Sequence, residues 1–267
     1  MARVKPVWST VDPVGRRVAE LLEREYGVDV CINADCEFPG FEVDTPYLDD
    51  LHERLPGYDA YVVVSRHESA SGRPTLSLHH TGNPTGAALG GDPRSLEWAW
   101  PRLLYHLFHE YLSVARSRGL LERYEFTLEA THHGPTRVPR PVVFIEIGSG
   151  EKQWGDREAL DALAYVVWGL VQGSFEPGRV ECTPVSGFGD THYPRVHTRL
   201  EAEEGYCYAH ILSKHVIREV DEAVVRQALV KSVDRVERAV VTKIPGAARR
   251  LVERVAGELG VVVERRG

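Results

Sequence analysis

The chain has 267 residues, 43% hydrophobic and 27% charged, a balance that suits a globular protein with a sizeable core. Its net charge of −7 excludes a protein coated in basic patches for nucleic acid. No apolar run reaches the roughly 18 to 20 residues needed to cross a bilayer, and the opening MARVKPVWSTVDP lacks the apolar core of a secretion signal, so a cytoplasmic protein with no membrane partner is expected.

Along the chain, Asp12-Pro13 starts a helix that runs through Tyr26, because Asp accepts bonds from the free amides of a first turn and Pro suits its first position. Cys31 and Cys36 follow in CINADC. Together with Cys182 and Cys207 they form no CxxC, and in a cytoplasmic chain all four are expected as reduced thiols. Strands are expected at 61–65 and 75–80, then a helix at about 101–118, opened by Pro101 and closed by Gly119. Within that helix HLFHE (106–110) matches neither HExxH nor HxxEH, so His106 and His109 are assigned to structure.

Strands at 124–131 and 142–147, a helix at 156–173, and strands at 181–186 and 206–212 come next. The last third supplies a helix at 219–232, a strand at 239–244, a helix at 246–258 and a strand at 260–264. Residues 223–267 hold ten basic and five acidic residues, net +5, so the preceding 222 residues carry −12. With no linker and no internal repeat, one domain over 1–267 is expected. Its fold class is α/β, a three-layer α/β/α arrangement around a mixed, mostly parallel sheet, since some strand pairs lack a helix between them.

Three segments share one design, a β-like run followed by polar residues and a glycine turn: LSLHHTGNPTG (76–86), FTLEATHHGPT (126–136) and VVFIEIGSGEKQW (142–154). Ligands in open α/β sheets bind beyond the carboxyl ends of strands, so these three ends are expected to meet at one cleft. Alternation along a strand places His80 with Leu76 and Leu78, and His79 with Thr75 and Ser77. Likewise His132 falls with Phe126, Leu128 and Ala130, and His133 with Thr127, Glu129 and Thr131, so neighbouring histidines are not expected to share one metal.

Glu146 lies in an apolar run, where an ionised carboxylate needs a cation, a metal or a proton. Gly148-Ser149-Gly150 after it can turn backbone amides toward a phosphate or carboxylate. GFGDTHYPRVHT (187–198) reads as a loop bearing His192 and His197, and Lys214 in AHILSKH can meet a phosphate. A GxSxG elbow, a Walker A loop and a GxGxxG turn are all missing from the sequence, which leaves His-assisted or metal-assisted hydrolysis as the best fit.

In combination, SRHESASGRPTLSLHHTGNP (65–84), EATHHGPT (129–136), VFIEIGSGEKQW (143–154), GFGDTHYPR (187–195) and GYCYAHILSKHVI (205–217) resemble the D-aminoacyl-tRNA deacylases of archaeal and plant type. The resemblance implies hydrolysis of the ester between a D-amino acid and the 3′ acceptor end of tRNA. It also implies dependence on zinc and a fold similar to the phosphorylase and peptidyl-tRNA hydrolase group. One departure is Asp190, which stands where the family pattern has a glycine.

On that reading His80, His132, His133 and Glu146 are expected at the reaction centre, with His80, His133 and Glu146 as metal ligands. His79, Gly148, Ser149, Gly150, His192 and Lys214 are expected on the substrate side, with tRNA against the basic C-terminal third and the chain acting as a monomer. Rival readings are a zinc- or His-dependent hydrolase of another small ester, peptide or nucleoside, and a non-catalytic RNA-binding protein whose zinc is structural.

Overall fold

Apolar runs become strands and amphipathic segments become helices in a computed structural model that describes residues 2–87 and 89–266. Strand β1 (Val4–Ser9) leads into helix α1 (Pro13–Tyr26). Asp12 caps α1 by accepting from the amides of Val14 at 2.9 Å and Gly15 at 2.8 Å. Strands β2 (Val30–Ile32) and β3 (Phe38–Phe41) and the short α2 (Leu51–Arg54) precede β4 (Ala60–Glu68) and β5 (Thr75–His80). A small hairpin, β6 (Gly82–Asn83) and β7 (Ser95–Leu96), comes before α3 (Pro101–Ser117), β8 (Glu125–Leu128) and β9 (Val142–Ser149).

Helices α4 (Glu151–Trp154) and α5 (Arg157–Val171) close this part of the chain. The remainder alternates regularly: β10 (Thr183–Phe188), α6 (Arg195–Glu204), β11 (Tyr206–Leu212), α7 (Glu222–Val230), β12 (Arg238–Val241), α8 (Gly246–Leu259) and β13 (Val262–Arg265). The strands form two principal sheets. One has seven strands in the order β2-β3-β1-β4-β9-β5-β8, and the other has four in the order β11-β10-β12-β13. The small sheet is all parallel. The large one is parallel from β2 to β9, then β5 runs antiparallel to β9 with β8 parallel to β5.

That reversal corrects the expected cleft. The carboxyl ends of β5 and β8 lie at the opposite end of the sheet from that of β9, since Thr75 faces Gly148 and His80 faces Val143. The polar groups meet on a face of the sheet instead of beyond its edge. On the other face Val62, Val64, Leu76, Leu78, Ile145 and Ile147 join one core with residues of α1, α3 and α5. Each buried aliphatic side chain there contributes about 1.5 to 3 kcal/mol, and the same core takes in Val185, Tyr208 and Val240 from the small sheet.

Two further expectations change. The segment around His197 is helical, not a loop, and His197 is fully buried in α6 with Nδ1 2.9 Å from the Tyr208 hydroxyl. The cysteines are not free thiols: Cys31 pairs with Cys36 and Cys182 with Cys207. The second pair follows from register, because Pro184 of β10 stands beside Cys207 of β11, which brings the residue two before it within reach. Disulfides are rare in mesophilic cytosol but common inside hyperthermophiles, so the pairing leaves the compartment open. A bridge across a separation of 25 residues restricts the unfolded chain by about 3 kcal/mol. Replacing Cys182 and Cys207 together by Ser is therefore expected to lower unfolding free energy by roughly 3 kcal/mol in guanidinium titrations. A loss under 0.5 kcal/mol would contradict the pairing.

Candidate active site

Strand register assembles the site. Ser65 and His67 of β4, Thr75, Ser77 and His79 of β5, and Glu146 of β9 point to one face, since Ser65 and Ser77 flank Glu146 while His67 and Thr75 flank Gly148. Thr127 stands beside Ser77, so Glu129 continues the same row one step past the end of β8. All these polar side chains are buried. Gly148 is required as their floor: a Cβ there would sit 2.7 Å from the His67 ring and 2.9 Å from the Thr75 hydroxyl.

Beyond Leu128 the chain leaves regular strand geometry and is held between the two sheets. The Ala130 amide donates to the His192 carbonyl, the Thr131 amide to Ile211 of β11, and the Gly82 amide to the His133 carbonyl. His133 takes a positive φ of 41°, which breaks the alternation expected for the doublet. Both imidazoles therefore reach the same site, with ring centroids 4.3 Å apart and 4.3 Å (His132) and 4.9 Å (His133) from His79. Gly134 permits the turn, because a Cβ would lie 2.5 Å from the Pro46 carbonyl oxygen.

Two buried carboxylates anchor the cluster. Glu129 lies 3.1 Å from His67 Nδ1, 2.9 Å from His192 Nε2 and 3.6 Å from His132 Nε2. Glu146 accepts a 2.6 Å bond from the Ser65 hydroxyl and lies 3.5 Å from His67 and 3.6 Å from His79. Burial opposes a charge on His67, but Glu129 and Glu146 outweigh it and raise the imidazole to about 10, so His67 is a cation. Its other nitrogen meets the Tyr193 hydroxyl at 2.7 Å. Burial also works against a charged Glu146, yet His67 and His79 hold it well below the usual carboxylate range.

The doublet behaves oppositely. Burial, reinforced by His79, lowers His133 to about 4; burial with His79, His133 and His192 drives His132 well below its ordinary value. Both are neutral. Each has Nδ1 against a backbone carbonyl, His132 on Ala130 at 2.8 Å and His133 on Gly134 at 2.6 Å, as His79 has on His80 at 3.2 Å. A carbonyl only accepts, so each Nδ1 carries a proton. Burial opposes a charge on His79, but Glu146 and Glu129 outweigh it and raise that imidazole, which must give up its Nε2 proton to take a metal. The neutral His132 and His133 already present a lone pair at Nε2. This is the arrangement that readies histidines for a metal.

His79, His132 and His133 offer ligand atoms within 4.8 Å of one another, as do His79, Glu129 and Glu146, and as do His67, Glu129, His132 and His192. Four of these atoms have no aligned hydrogen-bond partner although buried: His79 Nε2, both Glu129 oxygens and Glu146 Oε2. Leaving such groups unmatched is costly, and a cation of imidazole and carboxylate preference would satisfy them. A cavity of about 340 Å³ opens above, lined by His67, His132, His133, His192, Arg66 and Leu89 among others. Arg66 is fixed there by Asp12, which accepts from its amide at 2.9 Å and its guanidinium at 3.0 Å.

Of the residues expected from the sequence, His79, His132, His133, His192 and Glu146 come together. His80 does not. It lies on the core side, donating from Nδ1 to the Ala209 carbonyl at 2.7 Å and accepting the Trp100 amide at Nε2 at 3.0 Å, so neither nitrogen is left for a metal or a proton transfer. Gly148 and Ser149 belong to β9, paired in the sheet, and are not a free phosphate-binding turn; the Ser149 hydroxyl is used on the Arg73 carbonyl. Gly150 starts α4, a helix of four residues. Lys214 lines a different cavity.

Asp190 adopts the left-handed conformation a glycine would take, φ 66°, and its carboxylate accepts the Thr191 amide at 2.7 Å and the Val196 amide at 2.8 Å. It thereby caps the start of α6 and steadies the loop that carries His192. His67 and Glu129 were not anticipated, although both lay in plain view: alternation from Ser65 and Thr127 places them on the row of Glu146. His106 and His109 stay outside the site, on the Ser174 hydroxyl and the Glu201 carbonyl.

Comparison with known proteins completes the picture. A family model described as D-aminoacyl-tRNA deacylase matches residues 55–264. The D-aminoacyl-tRNA deacylase of Hyperthermus butylicus is 40% identical over 272 residues, covering 97% of this chain and 98% of the relative. That of Aeropyrum pernix is 39% identical over 277 residues, with 98% and 99% covered, and that of Saccharolobus solfataricus is 34% identical over 242, with 90% of each. A crystal structure of a conserved protein of unknown function superposes with a TM-score of 0.84 over 99% of this chain and 95% of that one; at 24% identity it speaks for the shared α/β fold.

Proposed function

The chain belongs to the D-aminoacyl-tRNA deacylase family and hydrolyses the ester that joins a D-amino acid to tRNA; from that premise we propose that the cavity above Glu129 and Glu146 is where the ester is cut. What supports this reading is the convergence there of four buried, unaligned ligand atoms with imidazoles whose tautomers are already set. The donor set fits zinc, with His79, His132 and His133 as its ligands and Glu146 behind them. When bound, zinc supplies a Lewis acid that polarises oxygen and acidifies water.

The remaining residues handle the proton. Glu129 lies 2.9 Å from His192 Nε2, and a small turn of the ring would align that N–H with the carboxylate and leave Nδ1 as the base. This is the carboxylate and imidazole logic of a catalytic triad. His192 takes a proton from water as the oxygen attacks the ester carbonyl, and Glu129 steadies the imidazolium formed. Cationic His67 places positive charge beside the oxygen on which negative charge develops. His192 then returns its proton to the ribose oxygen of the terminal adenosine as that bond breaks. One chain supplies every group, which supports action as a monomer, and the aminoacyl-tRNA pool supports a cytoplasmic location.

Handedness supplies the test. Purified protein incubated with D-tyrosyl-tRNA and L-tyrosyl-tRNA is expected to release D-tyrosine at least about a hundredfold faster, since rejecting the L-ester requires that its amino group or side chain clash or be left unpaired in the chiral cavity. Equal rates on both, or none on either, would refute the reading.

A further inference from the structure

Among the charged groups outside this site, one cluster stands apart. A second cavity of about 700 Å³ is lined by Lys214, His215, Arg218, Lys243, Ile244 and Pro245. The first four are exposed. Most other arginines of residues 223–267 pair with glutamates, Arg226 and Arg254 with Glu222 and Glu258, Arg238 and Arg266 with Glu264, and Arg249 and Arg265 with Glu253. Arg235 and Arg250 have no such pair among the described residues and do not line this cavity. Among the described residues no carboxylate lies within 4.0 Å of a Lys214, Arg218 or Lys243 cation. Three fixed positive charges and an imidazole are thus held around an open space inside a protein whose net charge is −7. Like charges gathered without counter-ions repel one another, and a polyanion relieves that cost.

The position of the cluster indicates which polyanion. The Lys214 amide donates to the Asp190 carbonyl at 2.8 Å, and Asp190 precedes His192 by two residues. On the neighbouring strand the Thr242 amide donates to Phe188, and the Gly189 amide to Leu212, at 2.9 and 2.8 Å. Both walls of the basic cavity are therefore stitched to the segment that carries the proposed base into the first cavity. Two residues of chain span at most about 7 Å, so the cationic cavity and the reaction centre both border one short loop, residues 188–192.

Resting on the deacylase reading above, we propose that the Lys214, Arg218 and Lys243 cavity docks the backbone phosphates of the tRNA substrate that precede its terminal adenosine. Flexible lysines and a forked guanidinium contact phosphate oxygens without reading bases, which suits an enzyme that must accept many tRNAs. Binding through this cavity would register the ester over the histidine cluster by charge alone.

The experiment compares the parent with the K214A/R218A/K243A variant in two assays. Affinity for deacylated tRNA is measured across 50 to 300 mM salt, and hydrolysis is followed on D-tyrosyl-tRNA and on 3′-O-(D-tyrosyl)adenosine, which lacks phosphates. Loss of three phosphate contacts is expected to weaken tRNA binding about thirtyfold at low salt and to reduce the log-log salt slope by about 2. The kcat/KM on D-tyrosyl-tRNA should fall in parallel while that on the adenosine ester does not. Unchanged tRNA affinity would overturn the proposal. So would an equal fall on both esters, since the substitutions would then act by disturbing the His192 loop. A parent that binds tRNA through these residues but hydrolyses neither ester would count against the deacylase reading and leave the docking surface standing.

Discussion

Replacing Glu129 by Gln is expected to lower the single-turnover rate on D-tyrosyl-tRNA by about a thousandfold or more, with little change in the enzyme concentration needed for half saturation. The carboxylate is fully buried and lies within 3.6 Å of three imidazole nitrogens, on His67, His132 and His192. Gln preserves volume but brings an amide group whose NH2 cannot accept a proton, so it can no longer hold Nε2–H of His192 or stabilise the imidazolium formed during proton transfer. It also removes the first of the two charges that keep His67 cationic. An effect of this size confined to the chemical step reports loss of transition-state stabilisation. A rate within tenfold of the parent would remove Glu129 and His192 from the proton path.

The second large effect separates two adjacent histidines. On the proposed zinc site, His79→Gln is expected to retain little zinc per chain after dialysis, compared with a zinc-loaded parent, and to lose at least about a hundredfold in hydrolysis, because His79 belongs to two of the candidate ligand groups. His80→Leu should keep its metal. Its cost falls on stability, roughly 2 to 4 kcal/mol in denaturant, since the Ala209 carbonyl and Trp100 amide both lose a buried partner. Full zinc content in the His79 variant, or metal loss without destabilisation in the His80 variant, would reverse the assignment of the two rings.

These two residues also show how much could be read ahead of the structure. Alternation separated His79 from His80 correctly, because β5 is regular through its last residue and one face of it is apolar. The row that His80 shares with Leu76 and Leu78 faces the core, so the ring in the site is His79 and not the expected His80. Applied across β4 and β8, the same parity would have drawn in His67 and Glu129, whose rows were written in Ser65 and Thr127. For His132 and His133 alternation failed outright. Strand β8 ends at Leu128, its pairing returns only as a single out-of-register bridge between Thr81 and His132, and the positive φ of His133 turns the second imidazole back to the face of the first.

Local periodicity, turn chemistry and motifs along the chain sufficed for the α/β class, the cap at Asp12, most helices and strands to within a few residues, and the family. Contacts between distant segments set the rest: β5 and β8 run against β9, the site lies on a sheet face, and Cys182 meets Cys207. They also decided which histidines keep a free lone pair, since that depends on backbone carbonyls brought up from elsewhere. The Ala209 carbonyl that silences His80 is 129 residues away along the chain, and no pattern around His80 contains it.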